Sequence, residues 1–162
     1  MGKEAKTNAM RMLERAKIAY EAHEYPHEEG VAVDGVRVAE SMGQNPDCVF
    51  KTLVTQGADK NYYVFVIPVA ATLDLKKAAR SVGVKSVAMI HVADINKITG
   101  YVRGGCSPVG MKKQFVTRFD ESCLDKPTIF VSAGRIGTQI EASPAGLLQA
   151  SRGKTASLTM AE

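Results

Sequence analysis

The chain has 162 residues, 45% of them hydrophobic, and a formal net charge of +4. This length and apolar content predict a single domain over residues 1–162 with one sizeable core. Three scattered cysteines without C-x-x-C spacing argue against a disulfide framework and a structural zinc site, and they favour a reducing cytoplasm. No apolar run approaches the roughly 18 residues of a membrane span, and the N-terminus lacks a signal-peptide core. A soluble cytoplasmic protein is therefore expected.

The order of hydrophobic periods and turn residues predicts a mixed α/β or α+β fold. Its core is expected over about residues 5–150 as a curled, largely antiparallel mixed sheet or partial barrel flanked by helices. The strands over 49–54 and 62–68 are expected to be antiparallel neighbours, because turn residues at 57–61 separate them. In chain order the predicted elements are a helix capped by Thr7 and running to about 17, a strand over 19–25, a mobile loop over 27–35, a helix over 36–42, strands over 49–54 and 62–68, a helix over 73–81, a strand over 84–89, a helix over 93–98, strands over 114–119, 128–132 and 138–141, a helix over 144–150 and a frayed tail over 152–162.

Lys51 lies in the middle of an apolar strand pattern. Strand side chains alternate between two faces, so this lysine shares its face with Val49 and Leu53. An ammonium there must find a polar partner, reach water or lower its pKa, because an unpaired charge in apolar surroundings is costly. Two interpretations remain open: a lysine retained for chemistry or ligand binding, and an edge-strand lysine whose ammonium reaches solvent.

A glycine-rich segment over residues 100–110 contains four glycines and a proline. Glycine allows backbone amides to approach a ligand closely, so this loop is a candidate site for an oxyanion or a carbonyl, with a tight structural connection as the alternative. The phosphate-loop and dinucleotide fingerprints are absent. Cys106 lies inside the loop without a nearby activating base, which favours a small loop residue over a reactive thiol.

A second turn over residues 131–137 offers the hydroxyl of Ser132 and the guanidinium of Arg135 to a substrate end. Ser132 is predicted to form hydrogen bonds and not to act as a nucleophile, because the Gly-x-Ser-x-Gly elbow is missing. Tyr25 ends the first predicted strand, where its hydroxyl either lines a cleft or belongs to a core tyrosine.

The histidines predict no metal site, and the basic residues form no recognised nucleic-acid-binding motif. The three histidines are too few and too scattered for a metal site. A set of basic residues either contacts phosphates through a non-specific electrostatic attraction or forms an ordinary solvated surface. These residues are Lys76, Lys77, Arg80, Lys85, Lys112, Lys113 and Arg118.

Several separated motifs follow one another along residues 5–150. They are K-T-N-A-M from Lys6, V-F-K-T-L around Lys51, L-K-K-A-A-R-S-V-G-V-K from Leu75, G-Y-V-R-G-G-C-S-P-V-G-M-K-K from Gly100 and V-S-A-G-R-I-G from Val131. In this order they resemble the YbaK family of bacterial aminoacyl-tRNA deacylases. The similarity is greater to the free-standing Cys-tRNA(Pro) deacylases than to the editing domain inserted in prolyl-tRNA synthetase.

The resemblance implies trans-editing, in which cysteine mischarged onto proline tRNA is removed without a metal or cofactor, and it makes prolyl-tRNA synthetase an expected partner. In this chemistry the cysteine thiol of the substrate attacks its own ester carbonyl. Backbone amides around Gly104 and Gly105 are expected to polarise that carbonyl, and Lys51 to bind the tRNA terminus or the aminoacyl group. The resemblance implies a site of Tyr25, Lys51, Gly104 and Ser132, and the residue chemistry adds Thr52, Gly105 and Arg135. Lys51 and Gly104 are predicted to be catalytic, and Tyr25, Thr52, Gly105, Ser132 and Arg135 to bind substrate.

Two other functions remain open at the level of sequence. One is a tRNA-binding or synthetase-binding module that keeps the fold without turnover. The other is an editing deacylase for a different amino acid, most plausibly alanine, released by water. The first predicts no ester loss, and the second predicts a free amino acid from an ester that lacks a thiol.

Overall fold

The computed structural model describes residues 6–161, which form α-helices packed on two β-sheets. The helices are α1 (Asn8–Arg15), α2 (Gly35–Ser41), α3 (Leu75–Val82), α4 (Ile95–Thr99) and α5 (Pro144–Ser151). The strands are β1 (Glu21–Glu24), β2 (Phe50–Gly57), β3 (Tyr62–Pro68), β4 (Val87–Met89), β5 (Val116–Asp120), β6 (Ile129–Ser132), β7 (Thr138–Ala142) and β8 (Lys154–Ala156). Single 3₁₀ turns lie at Pro46–Cys48, Val92–Asp94 and Glu121–Asp125. Within the described residues, no helix has the length and apolar content to cross a membrane.

The strands form two sheets that approach each other at one bridge. The three-stranded sheet has the order β1-β7-β6 and is antiparallel. The five-stranded sheet has the order β4-β2-β3-β5-β8, with β2 antiparallel to β3 and β4, and with β5 parallel to both β3 and β8. A parallel bridge between Val49 and Phe130 brings the start of β2 beside β6. The predicted α+β class is confirmed, in an open two-sheet form.

Local signals in the sequence account for several element boundaries. The Thr7 hydroxyl accepts the Met10 amide and begins α1, and the Ser143 hydroxyl accepts the Gly146 amide and begins α5. The turn between β2 and β3 returns the chain in the antiparallel register that pairs Lys51 with Ile67. The predicted helix caps and the β2–β3 hairpin are therefore confirmed.

The five-stranded sheet is covered on both faces, and Lys51 lies on the face that α3 covers. Residues opposite one another in a strand pair share a face, so Lys51 stands on the same side as Ile67 and, one row further, Phe65. Both partners are fully buried in the cluster that contains Ala78 and Ala79 of α3. The predicted apolar surroundings of Lys51 are confirmed.

The prediction of a frayed tail after residue 152 is wrong. The strand β8 pairs with β5, and Leu158 is fully buried against Phe65 and other residues of the α3 cluster. The Leu158 amide donates to Asp120 Oδ1 at 3.0 Å, and its carbonyl accepts the Asp74 amide at 2.8 Å. Residues 153–157 are mostly polar and show no apolar alternation. An edge strand beside a parallel partner needs few apolar residues, so β8 gives no strand signal in the sequence.

One helix face also differs from the prediction. The apolar spacing of residues 75–82 predicts that Leu75 faces inward from α3, but Leu75 is 43% exposed, whereas Ala78 and Ala79 are buried. Leu75 is the first residue of the helix, directly after the capping residue Asp74.

Candidate active site

A cavity of about 310 Å³ lies where the two sheets approach each other. Its walls come from six parts of the chain: the residue after β1, the beginning of α2 with the residues before it, the start of β2, the residue after β3, the glycine loop over 103–106 and the β6–β7 hairpin. Of the residues implied by the sequence, Tyr25, Lys51, Thr52, Gly104 and Ser132 line this cavity. A cavity of this volume, apolar with a few polar groups, suits a small molecule or the end of a chain.

The half-buried ammonium of Lys51 belongs to this cavity. Burial lowers the pKa of Lys51, because low-dielectric surroundings disfavour the charged form, and the Asp34 carboxylate opposes this by attracting the ammonium. Asp34 also lines the cavity and caps α2, where its carboxylate accepts the Arg37 amide. The cavity lining thus contains two basic residues, Lys51 and Arg103, and one carboxylate, that of Asp34.

The edge of β2 beside Lys51 offers backbone groups to a ligand. Strand β4 pairs only with Thr55–Gly57 of β2, and the bridge to β6 is at Val49. Between these contacts the strand edge has no strand partner in the described part of the chain. The hydroxyl oxygen of Thr52, which lines the cavity, is buried and has no hydrogen-bond partner there either. Buried polar groups are normally satisfied, so these are candidate contacts for a bound substrate.

Gly104 is the cavity-lining position of the glycine loop that requires a glycine. Its φ is +82°, and an added Cβ would lie 2.6 Å from the Cβ of Ala32. The 27–35 loop therefore packs directly against the glycine loop at the cavity. The Gly104 backbone reaches the cavity wall without a side chain in the way.

Gly105 has a structural part instead of the expected contact with the carbonyl. It does not line the cavity, and its amide donates to the Val102 carbonyl at 2.9 Å. An added Cβ would lie 2.9 Å from the backbone of Arg135, so Gly105 lets the two glycine-rich turns come together. The expected pair of amides is thereby reduced to the one around Gly104.

Arg135 lies beside the cavity without lining it. Its Nε donates to the hydroxyl of Thr138 at 3.1 Å, and Thr138 does line the cavity. The structure therefore places Arg135 next to a cavity-lining residue and outside the lining itself, and its contact with a substrate stays a prediction.

Ser132 and Gln139 face the cavity from opposite positions of the β6–β7 hairpin. The Ser132 oxygen accepts the Gly134 amide at 3.3 Å, which leaves its O–H to donate to a ligand. The Gln139 amide group exchanges two hydrogen bonds with Gln44, at 2.9 and 3.2 Å, and this pairing fixes its orientation. Sequence reasoning missed Gln139; the signal was the hairpin register, which places the residue opposite Ser132 on the same face.

Tyr25 satisfies both interpretations that the sequence left open. Its side chain is buried, and it also lines the cavity. The Tyr25 amide donates to the Gly137 carbonyl at 2.9 Å, which ties the end of β1 to the β6–β7 hairpin. The tyrosine is thus a wall of the site held by the three-stranded sheet.

Cys106 and His23 each have surroundings that account for them. Burial raises the pKa of Cys106 to about 11, so its thiol is protonated and unreactive near neutral pH. His23 lies 2.9 Å from Glu141, whose other oxygen accepts the Thr128 hydroxyl. The ligand atoms of Glu21, His23 and Glu141 come within 4.8 Å of one another, which the sequence did not indicate.

Asp34→Asn is expected to lower the pKa of Lys51 further, because the change removes the negative charge that favours the ammonium. Lys51 would then lose its charge at a lower pH than in the parent protein. NMR titration of labelled lysine side chains measures this directly. Asp125→Asn, at an exposed carboxylate paired with Lys126, is the control and should leave Lys51 unchanged. Equal Lys51 titrations in the parent and Asp34→Asn would contradict the electrostatic assignment.

The fold and the cavity define a class of protein: an α+β domain with a cavity between a half-buried lysine, a strand edge and a glycine loop. The family model "Aminoacyl-tRNA editing domain" matches residues 30–150. The chain belongs to this family. Its assignment confirms the YbaK-type resemblance that the motifs indicated.

Individual relatives agree with the family. The chain is 46% identical over 157 residues to "Putative Cys-tRNA(Pro)/Cys-tRNA(Cys) deacylase EbsC" of Enterococcus faecalis, covering 97% of this chain and 95% of that protein. A structure described as "a putative trans-editing enzyme for prolyl tRNA synthetase" superposes with a TM-score of 0.79 at 24% identity, covering 94% and 93% of the two chains. Hypothetical protein APE2540 superposes with a TM-score of 0.84 at 20% identity, covering 95% and 100%. The two structures show that the fold is shared.

Proposed function

We propose that this protein is a trans-editing deacylase that removes cysteine from mischarged Cys-tRNA(Pro) in the cytoplasm. The observation that carries the proposal is the cavity in which Lys51, Gly104 and Ser132 meet, within a chain of the aminoacyl-tRNA editing family. The 46% identical relative is named for the same ester and for Cys-tRNA(Cys). Identity of this level over nearly the whole of both chains supports the same reaction.

The chemistry uses a nucleophile from the substrate. The cysteine thiol sulfur forms a bond to its ester carbonyl carbon, and the bond from that carbon to the terminal ribose oxygen breaks. The thiol proton ends on the ribose hydroxyl, so the products are a thiolactone and uncharged tRNA; water later opens the thiolactone to cysteine. This route asks the protein for orientation and charge stabilisation only. It suits a cavity whose lining residues include no histidine and whose one thiol, Cys106, has a raised pKa.

The cavity residues take complementary parts in this reaction. Negative charge develops on the carbonyl oxygen during attack, and one well-placed amide around Gly104 contributes about 3 kcal/mol to its stabilisation. Lys51 neutralises charge at the ester or the terminal nucleotide. The unpartnered hydroxyl of Thr52 and the hydroxyl of Ser132 form hydrogen bonds to the aminoacyl-adenosine. Tyr25 supplies a rigid wall.

A panel of Cys-, Ala-, Ser- and Pro-tRNA(Pro) tests the proposal. Cys-tRNA(Pro) should lose its amino acid fastest, and Ser-tRNA(Pro) slowly, because a hydroxyl replaces the thiol. Faster loss from Ala-tRNA(Pro) would instead indicate release by water and an alanine deacylase. Loss from none of the esters would indicate a binding module without turnover.

Repeating the panel with prolyl-tRNA synthetase tests the proposed partner. The cavity holds only a chain end, so recognition of one tRNA body is assigned to the synthetase. Added synthetase should favour Cys-tRNA(Pro) over Cys-tRNA(Cys). An unchanged ratio between these two substrates would argue against a complex of the three molecules.

A further inference from the structure

A second, basic groove lies away from the candidate active site, between α3 and the C-terminal strand β8. Its volume is about 260 Å³, and its lining residues are Lys77, Arg80, Ser81, Ala156 and Ser157. No carboxylate is among these lining residues. The groove exists because β8 docks on the sheet, which the sequence did not predict.

Two cations are fixed in position beside the groove by backbone carbonyls. Lys77 Nζ donates to the Thr159 carbonyl at 2.9 Å. Arg118 Nε donates to the Ser81 carbonyl at 3.2 Å, and its Nη1 donates to the Thr117 carbonyl. Carbonyl partners orient these groups without neutralising them. Lys77 and Arg118 therefore give the groove a positive electrostatic potential at fixed positions.

Two further cations are free to reach outward. Arg80 lines the groove, and Lys154 is paired with Arg118 in the strand register, two residues before Ala156 on the same strand face. Both side chains are exposed, and neither forms an ion pair within residues 6–161. The nearby carboxylates of Asp74 and Asp120 accept hydrogen bonds from backbone amides.

The groove and the candidate active site share one face of the five-stranded sheet. Lys51 pairs with Ile67, and the next row on that face runs from Leu53 through Phe65 and Arg118 to Lys154. Three strand spacings across and two residues along place Lys51 and Lys154 about 16 Å apart at the backbone. That span is shorter than the acceptor arm of a tRNA, so one substrate molecule is able to contact both places.

We propose that this groove is a second contact for the tRNA, binding phosphodiester groups of its backbone while the aminoacylated end occupies the cavity beside Lys51. The proposal rests on the proposed function for the identity of the nucleic acid. Phosphate contacts of this kind add affinity without reading sequence. They suit an enzyme whose cavity holds only the chain end.

The test removes the two outward cations together, as Arg80→Gln with Lys154→Gln. The matched control is Arg15→Gln with Lys17→Gln, which removes the same charge from exposed residues at the end of α1. Binding of uncharged tRNA is measured against salt concentration. The groove variant should bind on the order of tenfold more weakly, and its slope of log affinity against log salt should be shallower by about 1.4 to 1.8, as expected for two lost phosphate contacts. The control should resemble the parent.

Turnover on two substrates separates the groove from the active site. Cleavage of full-length Cys-tRNA(Pro) should slow at low substrate concentration, while cleavage of a short oligonucleotide carrying only the aminoacylated CCA end should not change. Equal tRNA binding by the groove variant and the parent overturns the proposal. The proposal is also overturned if the groove variant loses the same fraction of cleavage activity on the full-length tRNA and on the short oligonucleotide. Unchanged tRNA binding with loss of the response to synthetase would instead assign the groove to an acidic protein surface. If the parent cleaves no ester, the proposed function fails, but the binding measurement still tests the groove.

Discussion

Lys51→Ala is expected to reduce kcat/KM for Cys-tRNA(Pro) by about 10² to 10³, comparable with the loss of one main electrostatic contact in an active site. Lys51 lines the cavity from a sheet face on which its neighbours Leu53, Phe65 and Ile67 are apolar. Its ammonium is held in surroundings that disfavour charge, as its lowered pKa indicates. A cation retained under those conditions contributes to ligand binding or catalysis at a cost in stability.

Stability should change in the opposite direction. Lys51→Met nearly keeps the length of the side chain and removes the charge. Its free energy of unfolding is therefore expected to equal or exceed that of the parent, and its deacylase activity to be lost. The sign follows from the lowered pKa: the folded state binds the Lys51 proton less well than the unfolded state, so below the ordinary lysine pKa this ammonium opposes folding. Urea unfolding and deacylation assays measure the two effects. Lys113→Met, at an exposed lysine outside the cavity, is the control and should keep full activity. An active Lys51→Met would remove Lys51 from the mechanism.

The strongest prediction from the sequence rested on alternation along one strand. The apolar neighbours of Lys51 fixed its face, and the cap residues Thr7 and Ser143 fixed the beginnings of two helices. Such signals are local, because a strand face or a helix cap is determined within a few residues. The resemblance added the grouping of Lys51 with Gly104 and Ser132, and the cavity brings these three together.

What could not be predicted depends on contacts between distant segments. Gly104 and Gly105 are adjacent glycines, yet Gly104 lines the cavity, whereas the Gly105 amide donates to the Val102 carbonyl. The hairpin register of Gln139 and the helix cap at Asp34 are local, but only the assembled fold brings these two residues beside the start of β2. The same holds for β8, whose pairing with β5 joins segments far apart in sequence.

Leu158→Ala is expected to destabilise the protein by about 2 to 5 kcal/mol, the usual range for truncating a fully buried leucine. Leu158 is completely inaccessible and packs with Phe65, Ile67 and Leu73 beneath α3. Its backbone joins the end of the chain to β5 and to the start of α3 through two hydrogen bonds. The residue that the sequence assigned to a frayed end is thus part of the core.

Urea unfolding with Met160→Ala as control tests this assignment. Met160 lies two residues further along the same segment and is 54% exposed, so its truncation should change the free energy of unfolding by less than about 0.5 kcal/mol. Ala156 and Ser157, directly before Leu158, line the basic groove, so loss of the Leu158 anchor in Leu158→Ala should weaken tRNA binding along with stability, whereas Met160→Ala should change neither. Equal unfolding midpoints for Leu158→Ala and Met160→Ala would show that the C-terminal segment does not dock on the sheet in solution, and the groove would then lose its second wall.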